Sequence, residues 1–429
     1  MKYLLKNNQK PVIHYLIFVL LITIILLIYN PNPIVFKDVW AEDGREYLGK
    51  TIQLGFWEAL HQNFLVKGYL QFFKFAVGGL AIAINQFLFG NTIIYLPAIV
   101  ALISYLCYAF IFSLPILLFC SSIRSNHLSL LAILSCFISI GSFDRYVAFG
   151  RILNIGFLSI YFCFLLVGYR LLNEYKINWK FNFILDLFII LCVFTQPINI
   201  VFLAVIYIKK IYQLILNQKT IRECNNLFLI TVSISFYGTL IIANNLLIQS
   251  YAGSGLNKTF EFLLKPFFGR MMFNNWLAIL YPDLPYLLPF FLFIGYLVLI
   301  AKNSSQLHWY SIYSIICVAF ITAIWRPGIL NLLGNMSGGI YAMPTLLINL
   351  FLTISLLDKI TKNKTKKLIN YGIWLFFILV FLANAIHTNY PIRVETISIE
   401  RSLELAQPHS TGENNLYKVP INPEGWFML

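Results

Sequence analysis

Long apolar runs recur along this chain, and they limit its fold more than any other feature of the sequence. Hydrophobic residues make up 59% of the 429 residues, whereas charged residues make up only 11%. A soluble domain of this length cannot hide so much apolar surface, but a run of about 20 apolar residues can cross a bilayer as a helix. The sequence therefore predicts an all-α polytopic membrane protein.

About eleven runs have the length and composition of a membrane-spanning helix. They cover residues 12–30, 91–119, 128–142, 152–173, 182–195, 198–214, 226–248, 276–301, 309–325, 339–358 and 371–388. The pair 182–195 and 198–214 is interrupted at Thr195-Gln196-Pro197, where proline predicts a tight turn. Segment 69–89 is ambiguous because it is apolar but contains Gln71, Lys74 and Gln86.

The positive charge predicts how the chain is oriented. The net charge is +14, and the lysines are clustered in short groups between the apolar runs, as at Lys209/Lys210 and Lys359–Lys367. Such clusters favour the cytoplasmic side of a membrane, whereas nucleic-acid binding would need one contiguous basic face. We therefore expect no nucleic-acid partner, a cytoplasmic N-terminus and an external C-terminus.

The same charge rule predicts the domain organisation. If segment 69–89 lies along the outer leaflet, nearly every lysine cluster falls inside the cell. The prediction is then a transmembrane domain over 1–388, with 31–90 as a large external loop carrying juxtamembrane helices. Residues 389–429 form a short external tail, which is too small for a core of its own and is expected to pack on the bundle.

Cysteine spacing and the N-terminal run exclude two further readings. None of the seven cysteines has C-x-x-C spacing, so structural disulfides and zinc sites are not expected. The basic N-terminus and the apolar run from Val12 to Tyr29 resemble a signal peptide, but the run is long and no small-x-small cleavage site precedes Pro31. We interpret it as a retained first span.

An acidic pair follows the first span by about ten residues. Glu42 and Asp43 lie in the run Asp38–Gly44, next to Trp40 and before Arg45. Ionisable groups close to the bilayer are costly, so their presence indicates function. Asp43 could also cap a helix beginning near Arg45 or pair with that arginine, and Trp40 could belong to an interfacial aromatic belt rather than stack on a sugar.

Other external charges could complete a site for group transfer. A carboxylate can take a proton from an acceptor hydroxyl or hold a divalent cation, Mg²⁺ or Mn²⁺, while arginine and lysine bind a phosphate. Asp144 beside Arg145 could instead be an ordinary interfacial ion pair, and Arg270 and Arg326 could extend to lipid headgroups. The candidates are Asp144, Arg145, Arg151, Lys265, Arg270 and Arg326.

Known nucleotide motifs are not found in the sequence. It contains no Walker loop, no Rossmann glycine fingerprint and no G-x-S-x-G. Chemistry on a soluble nucleotide is therefore disfavoured, and a reaction at the outer surface would use an activated lipid or a bound small molecule.

Three short motifs carry a resemblance to a known group of proteins. The run Val39–Gly44, followed by Gly68-Tyr69-Leu70, resembles bacterial multispan proteins with a W-A-E-D-G first loop, within the GT-C superfamily of integral membrane glycosyltransferases. Gly338–Pro344 is similar to a later helix start in that group, although Ile340 stands where an arginine is often present. The ending Val419–Trp426 also looks like theirs.

The resemblance implies a GT-C-like helical bundle in a bacterial inner membrane and a hexosyl- or pentosyltransferase activity. A sugar would pass from a polyprenyl-phosphate donor to an envelope glycan, lipid or protein acceptor on the outer face. The first-loop acid, as base or metal ligand, corresponds to Asp43 with Glu42 as the other candidate, and the second acid corresponds to Asp144. Lys265, Arg270 and Arg326 would bind the carrier phosphate, and Tyr341 and Trp40 would contact substrate.

Two alternatives remain open at this stage. One is a transporter or flippase of a lipid-linked saccharide, and the other is a saccharide polymerase or ligase. A transporter predicts charges or broken helices near the bilayer midplane. In this sequence the ionisable residues inside spans are few, with Asp186 and Lys74 the most prominent, which argues against a transporter. A polymerase predicts arginine-rich external loops, whereas the prominent loop of this sequence is the acidic first loop.

Overall fold

The computed structural model describes most of the chain, with gaps between the described segments. The described residues are 9–35, 37–40, 42–90, 92–141, 148–173, 179–216, 228–247, 264–303, 305–325, 338–361, 367–388, 397–411, 414–422 and 426–428.

The described part of the first half of the chain is mainly helical. Between the short helix α2 and α3 lies a π-helix, Asp43–Gly49, and a short 3₁₀ turn, Pro197–Asn199, separates α9 from α10. The helices are α1 Gln9–Tyr29, α2 Asn32–Val35, α3 Lys50–Leu54, α4 Phe56–Lys67, α5 Phe72–Phe89, α6 Leu96–Leu118, α7 Ser125–Ser135, α8 Ile155–Leu172, α9 Trp179–Thr195, α10 Ile200–Ile215 and α11 Phe228–Leu247.

The second half adds more helices and a small antiparallel sheet near the C-terminus. A π-helix, Lys265–Met272, precedes α12, and 3₁₀ turns cover Ala278–Leu280 and Gly339–Ala342. The remaining helices are α12 Asn274–Leu277, α13 Leu288–Lys302, α14 Gln306–Trp325, α15 Met343–Thr361, α16 Lys367–Thr388 and α17 Ile399–Glu404. The strands, in the order β1-β2-β3, are β1 Gln407–Thr411, β2 Asn414–Ile421 and β3 Trp426–Met428.

Seven helical segments of the described chain are long and apolar enough to cross a membrane. They are Pro11–Tyr29, Phe72–Phe89, Leu96–Leu118, Ile155–Leu172, Pro197–Ile215, Gln306–Ala323 and Gly339–Thr361. Three shorter apolar segments, Ile230–Ile242, Leu288–Lys302 and Leu375–Thr388, fall below that length. The protein is therefore a helical, multi-pass membrane protein, and the expected number of about eleven spans stays a prediction.

Segment 69–89, expected to lie along the outer leaflet, packs against the bundle, and its position relative to the membrane stays a prediction. Its residues form α5, which qualifies as a spanning helix by length and composition and packs against both α6 and α9. Lys74 and Gln71 weakened the apolar signal in the sequence, yet both side chains are buried against protein. Polar side chains inside a bundle are tolerated where other protein groups satisfy them.

Two predicted helices have different limits in the structure. The run 276–301 is not one helix, because α12 and a 3₁₀ turn end near Tyr281 and α13 begins only at Leu288. Pro282 and Pro285 lie in the interruption, and proline removes the N–H that a continuing helix needs. The run predicted at 128–142 becomes α7, which ends at Ser135.

Helix α15 forms the centre of the bundle. Nearly all of its residues from Met343 to Asp358 are buried, and it packs against α7, α8 and α14. A helix that is apolar all round buries its whole surface in this way. The core helices hold the surrounding segments at fixed positions.

The bundle has two ends that differ in chemistry. At one, called here the loop end, the amide of Asn30 at the end of α1 donates to the carbonyl oxygen of Phe149, close to the start of α8. At the other, called the far end, Arg124 before α7 pairs with Asp358 near the end of α15 (Nε–Oδ1 2.7 Å). The acidic first loop belongs to the loop end.

Candidate functional site

The carboxylate of Asp43 holds the turn that leads into α8. Its Oδ2 accepts a hydrogen bond from the backbone N–H of Ile152, and its Oδ1 accepts one from Leu153, both at 2.8 Å. Asp43 itself begins a π-helix and is buried, with 3% of its surface exposed. A carboxylate suits such a position because backbone N–H groups in a buried turn need hydrogen-bond acceptors.

The two acids of the first loop differ in their surroundings. Burial raises the pKa of Asp43 to about 6; the charge of Arg151 and the two N–H donors act against this rise, while Glu42 adds to it. Glu42 is partly exposed, and within the described residues its carboxylate has no hydrogen-bond donor or cation in contact. Glu42 is thus the more accessible acid and Asp43 the better-ordered one.

A buried ion pair joins the first loop to the same turn. Nη2 of Arg151 lies 3.0 and 2.8 Å from the two carboxylate oxygens of Asp38, and Nη1 donates to the Asp38 carbonyl oxygen at 2.9 Å. The guanidinium lies 5.6 Å from the centre of the Trp40 ring. Trp40, only 6% exposed, therefore packs on an internal cation and does not offer an open stacking surface to a sugar.

The C-terminal tail packs directly on the first loop. The backbone N–H of Asn422 donates to the carbonyl oxygen of Val39 at 3.0 Å, and Ile399 donates to Lys37 at 3.1 Å. Val39 also shares a small apolar cluster with Ile399, Val419 and Ile421. The expectation that the tail packs on the bundle is confirmed, and two of the motifs that carried the resemblance meet here.

A second polar cluster lies one helical turn along from Asp43. The hydroxyl of Tyr47 donates to Oε1 of Gln71 at 2.7 Å and accepts from Nζ of Lys74 at 3.1 Å. All three side chains are buried. Gln71 has a left-handed backbone (φ +57°) at the start of α5, which turns the chain so that both Gln71 and Lys74 face Tyr47.

A small cavity opens beside this cluster, at the break between α9 and α10. It measures about 80 Å³, enough for several water molecules, and Tyr69, Phe157, Gln196 and Tyr341 are among its lining residues. Gly156 separates it from Lys74: a Cβ there would lie 2.6 Å from Lys74 Cε and 2.8 Å from Gln196 Nε2. A glycine at this position lets both polar side chains approach the start of α8.

The cations that were expected to bind phosphate lie on a neighbouring element. Arg270 is buried in the π-helix Lys265–Met272, donates to Asn274 Oδ1 at 3.0 Å and lies 5.9 Å from the Tyr281 ring. Lys265 donates to the Pro282 carbonyl oxygen at 2.8 Å. This π-helix packs against the 3₁₀ turn that carries Tyr341, so both cations lie on elements adjoining the cavity wall.

The remaining predicted residues are distributed differently. Asp144, Arg145 and Arg326 lie outside the described residues. Arg45 is exposed over 62% of its side chain and pairs with Glu46 (Nε–Oε1 3.5 Å) rather than with Asp43. Asp43, Trp40 and Arg151 are brought together, as described above.

A divalent cation does not fit the surroundings of Asp43. Both of its oxygens already accept backbone N–H groups, and the nearby positive charge is a guanidinium. Among the described residues, no group of three or more His, Cys, Asp or Glu side chains has the arrangement of a metal site. We therefore propose no metal-dependent step at Asp43.

Several residues of the site were not selected from the sequence. Asp38 lies in the same run as Glu42 and Asp43 but was not singled out, and Asn422 was part of a quoted motif without a role. Lys74 stands out in the sequence as a polar residue in an apolar run and as one of the few ionisable residues inside spans, but neither feature assigns it to the site. The usable signal was a polar side chain where the pattern demands an apolar one, since such exceptions mark buried interactions.

Comparisons with known proteins do not assign the chain. No family model matches it, and no curated protein matches it.

Proposed function

We propose that this protein is a membrane glycosyltransferase that moves a sugar from a polyprenyl-phosphate donor to a cell-envelope acceptor on the outer face of a bacterial inner membrane. The observation that carries the proposal is the loop end of the bundle. There the acid pair lies at the start of the short helix that carries Tyr47, whose hydroxyl accepts a hydrogen bond from a buried lysine close to a small cavity.

The two acids would divide the work. A general base must reach the proton that it removes, and Glu42 is the partly exposed member of the pair. Asp43 would act as a positioning residue, because its two hydrogen bonds fix the π-helix against the start of α8.

The leaving phosphate would be bound from the cavity side. Lys74 and Gln196 approach Gly156 from two directions, and Tyr69 and Tyr341 add hydroxyl groups nearby. An ammonium group and neutral donors together stabilise a phosphate that gains charge during transfer. At about 80 Å³ the cavity is smaller than a sugar, so donor binding requires the surrounding segments to separate.

Transport is less well supported than transfer. The two ionisable residues that the sequence placed inside spans both have protein partners: Lys74 donates to Tyr47, and Asp186 pairs with Arg170. Asp186 is therefore compensated within the bundle, whereas Lys74 is the cation that the proposed transfer uses. No contact at the loop end favours a polymerase over a single transfer.

The test combines a cellular and a purified assay. A deletion strain is complemented with wild type, Glu42→Gln or Lys74→Met at matched protein levels, and its envelope glycans are profiled. The purified variants are then assayed for sugar transfer from a synthetic polyprenyl-phosphate sugar. Glu58→Gln, at an exposed position of α4, is the matched control because it makes the same chemical change away from the site.

The expected result is loss of one glycan modification, and at least about 100-fold slower transfer, for Glu42→Gln, as for removal of a general base. Lys74→Met should weaken donor use, and Glu58→Gln should behave as wild type. If Glu42→Gln and Lys74→Met both restore the wild-type profile, the loop end is not a transferase site and the proposal is wrong.

A further inference from the structure

A second cavity lies at the far end of the bundle, away from the first loop. It measures about 560 Å³, within the range of small-molecule sites, and lies between α8, α10 and α14. Its walls are largely apolar and aromatic, with Leu171, Val205, Ile208, Tyr212, Trp309 and Tyr313 among them. Helices α10 and α14 both belong to candidate membrane spans, so this groove opens on a surface that lipid would cover.

The groove has a cation at its polar end. Lys209 lines it, and its Nζ lies 3.5 Å from the carbonyl oxygen of Leu171, in the last turn of α8. Lys209 belongs to one of the basic clusters that the charge rule assigns to the cytoplasmic side. Exposed Trp309 and Tyr212 lie beside it, as aromatic side chains do at the level of lipid headgroups.

A half-buried amide, whose oxygen is hidden from solvent, supplies the second and independent observation. Gln213 also lines the groove, and no donor among the described residues reaches its Oε1, although that atom is hidden from solvent. A buried acceptor without a partner is unfavourable, so a bound group that donates a hydrogen bond to it would be stabilised there. An apolar trough, a cation and an unsatisfied amide together match an amphiphile with an acyl chain, a phosphate and a hydroxyl.

We propose that this groove binds an anionic glycerophospholipid of the phosphatidylglycerol type. One acyl chain lies along the aromatic wall, the phosphate contacts Lys209, and a headgroup hydroxyl donates to Gln213. Basic pockets between membrane helices hold anionic headgroups by this combination of charge and apolar contact. The site is separate from the loop end, because α8 runs from one to the other.

Lipid binding is measured on the full-length protein in nanodiscs or detergent. Thermal unfolding is followed while phosphatidylglycerol is titrated against phosphatidylcholine, for wild type, Lys209→Met and Gln213→Leu. Lys302→Met is the matched control, since Lys302 is an exposed lysine at the end of α13 and does not line the groove. We expect saturable stabilisation by phosphatidylglycerol, weakened about five- to tenfold in affinity by Lys209→Met and unchanged by Lys302→Met.

Gln213→Leu should reduce the preference for phosphatidylglycerol over phosphatidic acid, which has no headgroup hydroxyl. Equal losses for Lys209→Met and Lys302→Met would show diffuse surface charge and overturn the proposal. If a variant does not fold, phosphatidylglycerol with brominated acyl chains tests the groove without changing Lys209 or Gln213. Brominated phosphatidylglycerol should quench wild-type fluorescence more than that of Trp309→Phe, and equal quenching of both would also overturn it.

Discussion

Arg151 and Asp38 form a buried, two-pronged ion pair that joins the start of α8 to the first loop. One terminal nitrogen of the guanidinium reaches both carboxylate oxygens, and the other reaches the Asp38 backbone. The side chains are only 3% and 0% exposed, so each charge depends on the other for compensation. The loop that carries the acid pair is therefore fixed to the bundle by charge as well as by packing.

Breaking this pair from one side should unfold the loop end. Asp38→Asn removes the carboxylate that the buried Arg151 guanidinium contacts, and we expect a loss of about 3–5 kcal/mol in the free energy of unfolding. Denaturant unfolding in detergent measures it. Arg45→Gln is the control, because its exposed pair with Glu46 should contribute less than about 1 kcal/mol.

The double variant Asp38→Asn/Arg151→Met tests whether the two side chains act as one unit. If the pair acts as one unit, the double variant loses clearly less than the sum of the two single variants. Additive losses would mean that the two side chains act separately.

Asp43 should make stability depend on pH. Its pKa in the folded protein, about 6, lies above its ordinary value of 3.8, so the folded state holds the proton more tightly than the unfolded state. Its stabilising contribution is complete below about pH 4 and is lost as the pH rises through about 6. The total change is about 3 kcal/mol, at 1.36 kcal/mol per pKa unit.

The measurement compares wild type with Asp43→Asn across this range. The stability of wild type relative to the variant should fall between about pH 4 and pH 6, whereas Glu58→Gln should leave the pH profile of wild type unchanged. The amide also offers only one acceptor to the N–H groups of Ile152 and Leu153, so a constant loss of about 1–3 kcal/mol is expected besides. A difference between wild type and Asp43→Asn that does not vary with pH would contradict the raised pKa.

Gly44→Ala should separate the tail from the first loop. A Cβ at Gly44 would lie 2.6 Å from Val39 Cγ1 and 2.7 Å from Ile421 Cδ1, closer than packed carbon atoms allow. Overpacking of this kind costs about 1–3 kcal/mol, and limited proteolysis should cut the tail faster. Gly78→Ala is the matched control, since its nearest contacts begin at 3.6 Å; equal cleavage of both variants would count against a tight fit at Gly44.

Asn422 closes the tail onto itself through both ends of its amide. It accepts from the N–H of Ile397 and donates to the carbonyl oxygen of Ile397, each at 2.8 Å. Asn422→Ala leaves both backbone groups without that partner, which should cost about 2 kcal/mol or more. Tail protection from protease is the readout, and Asn303→Ala, whose amide makes an exposed bond within α13, should change it little.

The hydroxyl of Tyr47 should contribute to the free energy of unfolding. Tyr47→Phe removes the acceptor for Lys74 and the donor for Gln71 in a buried site. We expect a loss of about 1–3 kcal/mol in unfolding free energy. Tyr95→Phe, at a residue with 41% exposure, is expected to lose less than about 0.5 kcal/mol, and similar losses for the two would show that the cluster adds no stability.

The sequence predicts where a helix ends when the neighbouring residues alone decide it. The interruption at Thr195-Gln196-Pro197 is confirmed, because proline blocks the helix wherever the segment lies in the fold. The same rule applied to Pro282 and Pro285 would have divided the run 276–301. The position of α5 was not predictable in this way, because its lysine and glutamine are satisfied by distant residues.

The sequence by itself determined that this is a multi-pass helical protein, because the length and composition of each apolar run are local properties. Runs of this kind can cross a bilayer as helices in any arrangement of the bundle. Only the tertiary structure decided which charges meet. Asp38 and Arg151 are 113 positions apart, and the tail reaches Val39 across most of the chain. Such pairings depend on how the helices pack, and that packing also separates the ordered Asp43 from the accessible Glu42.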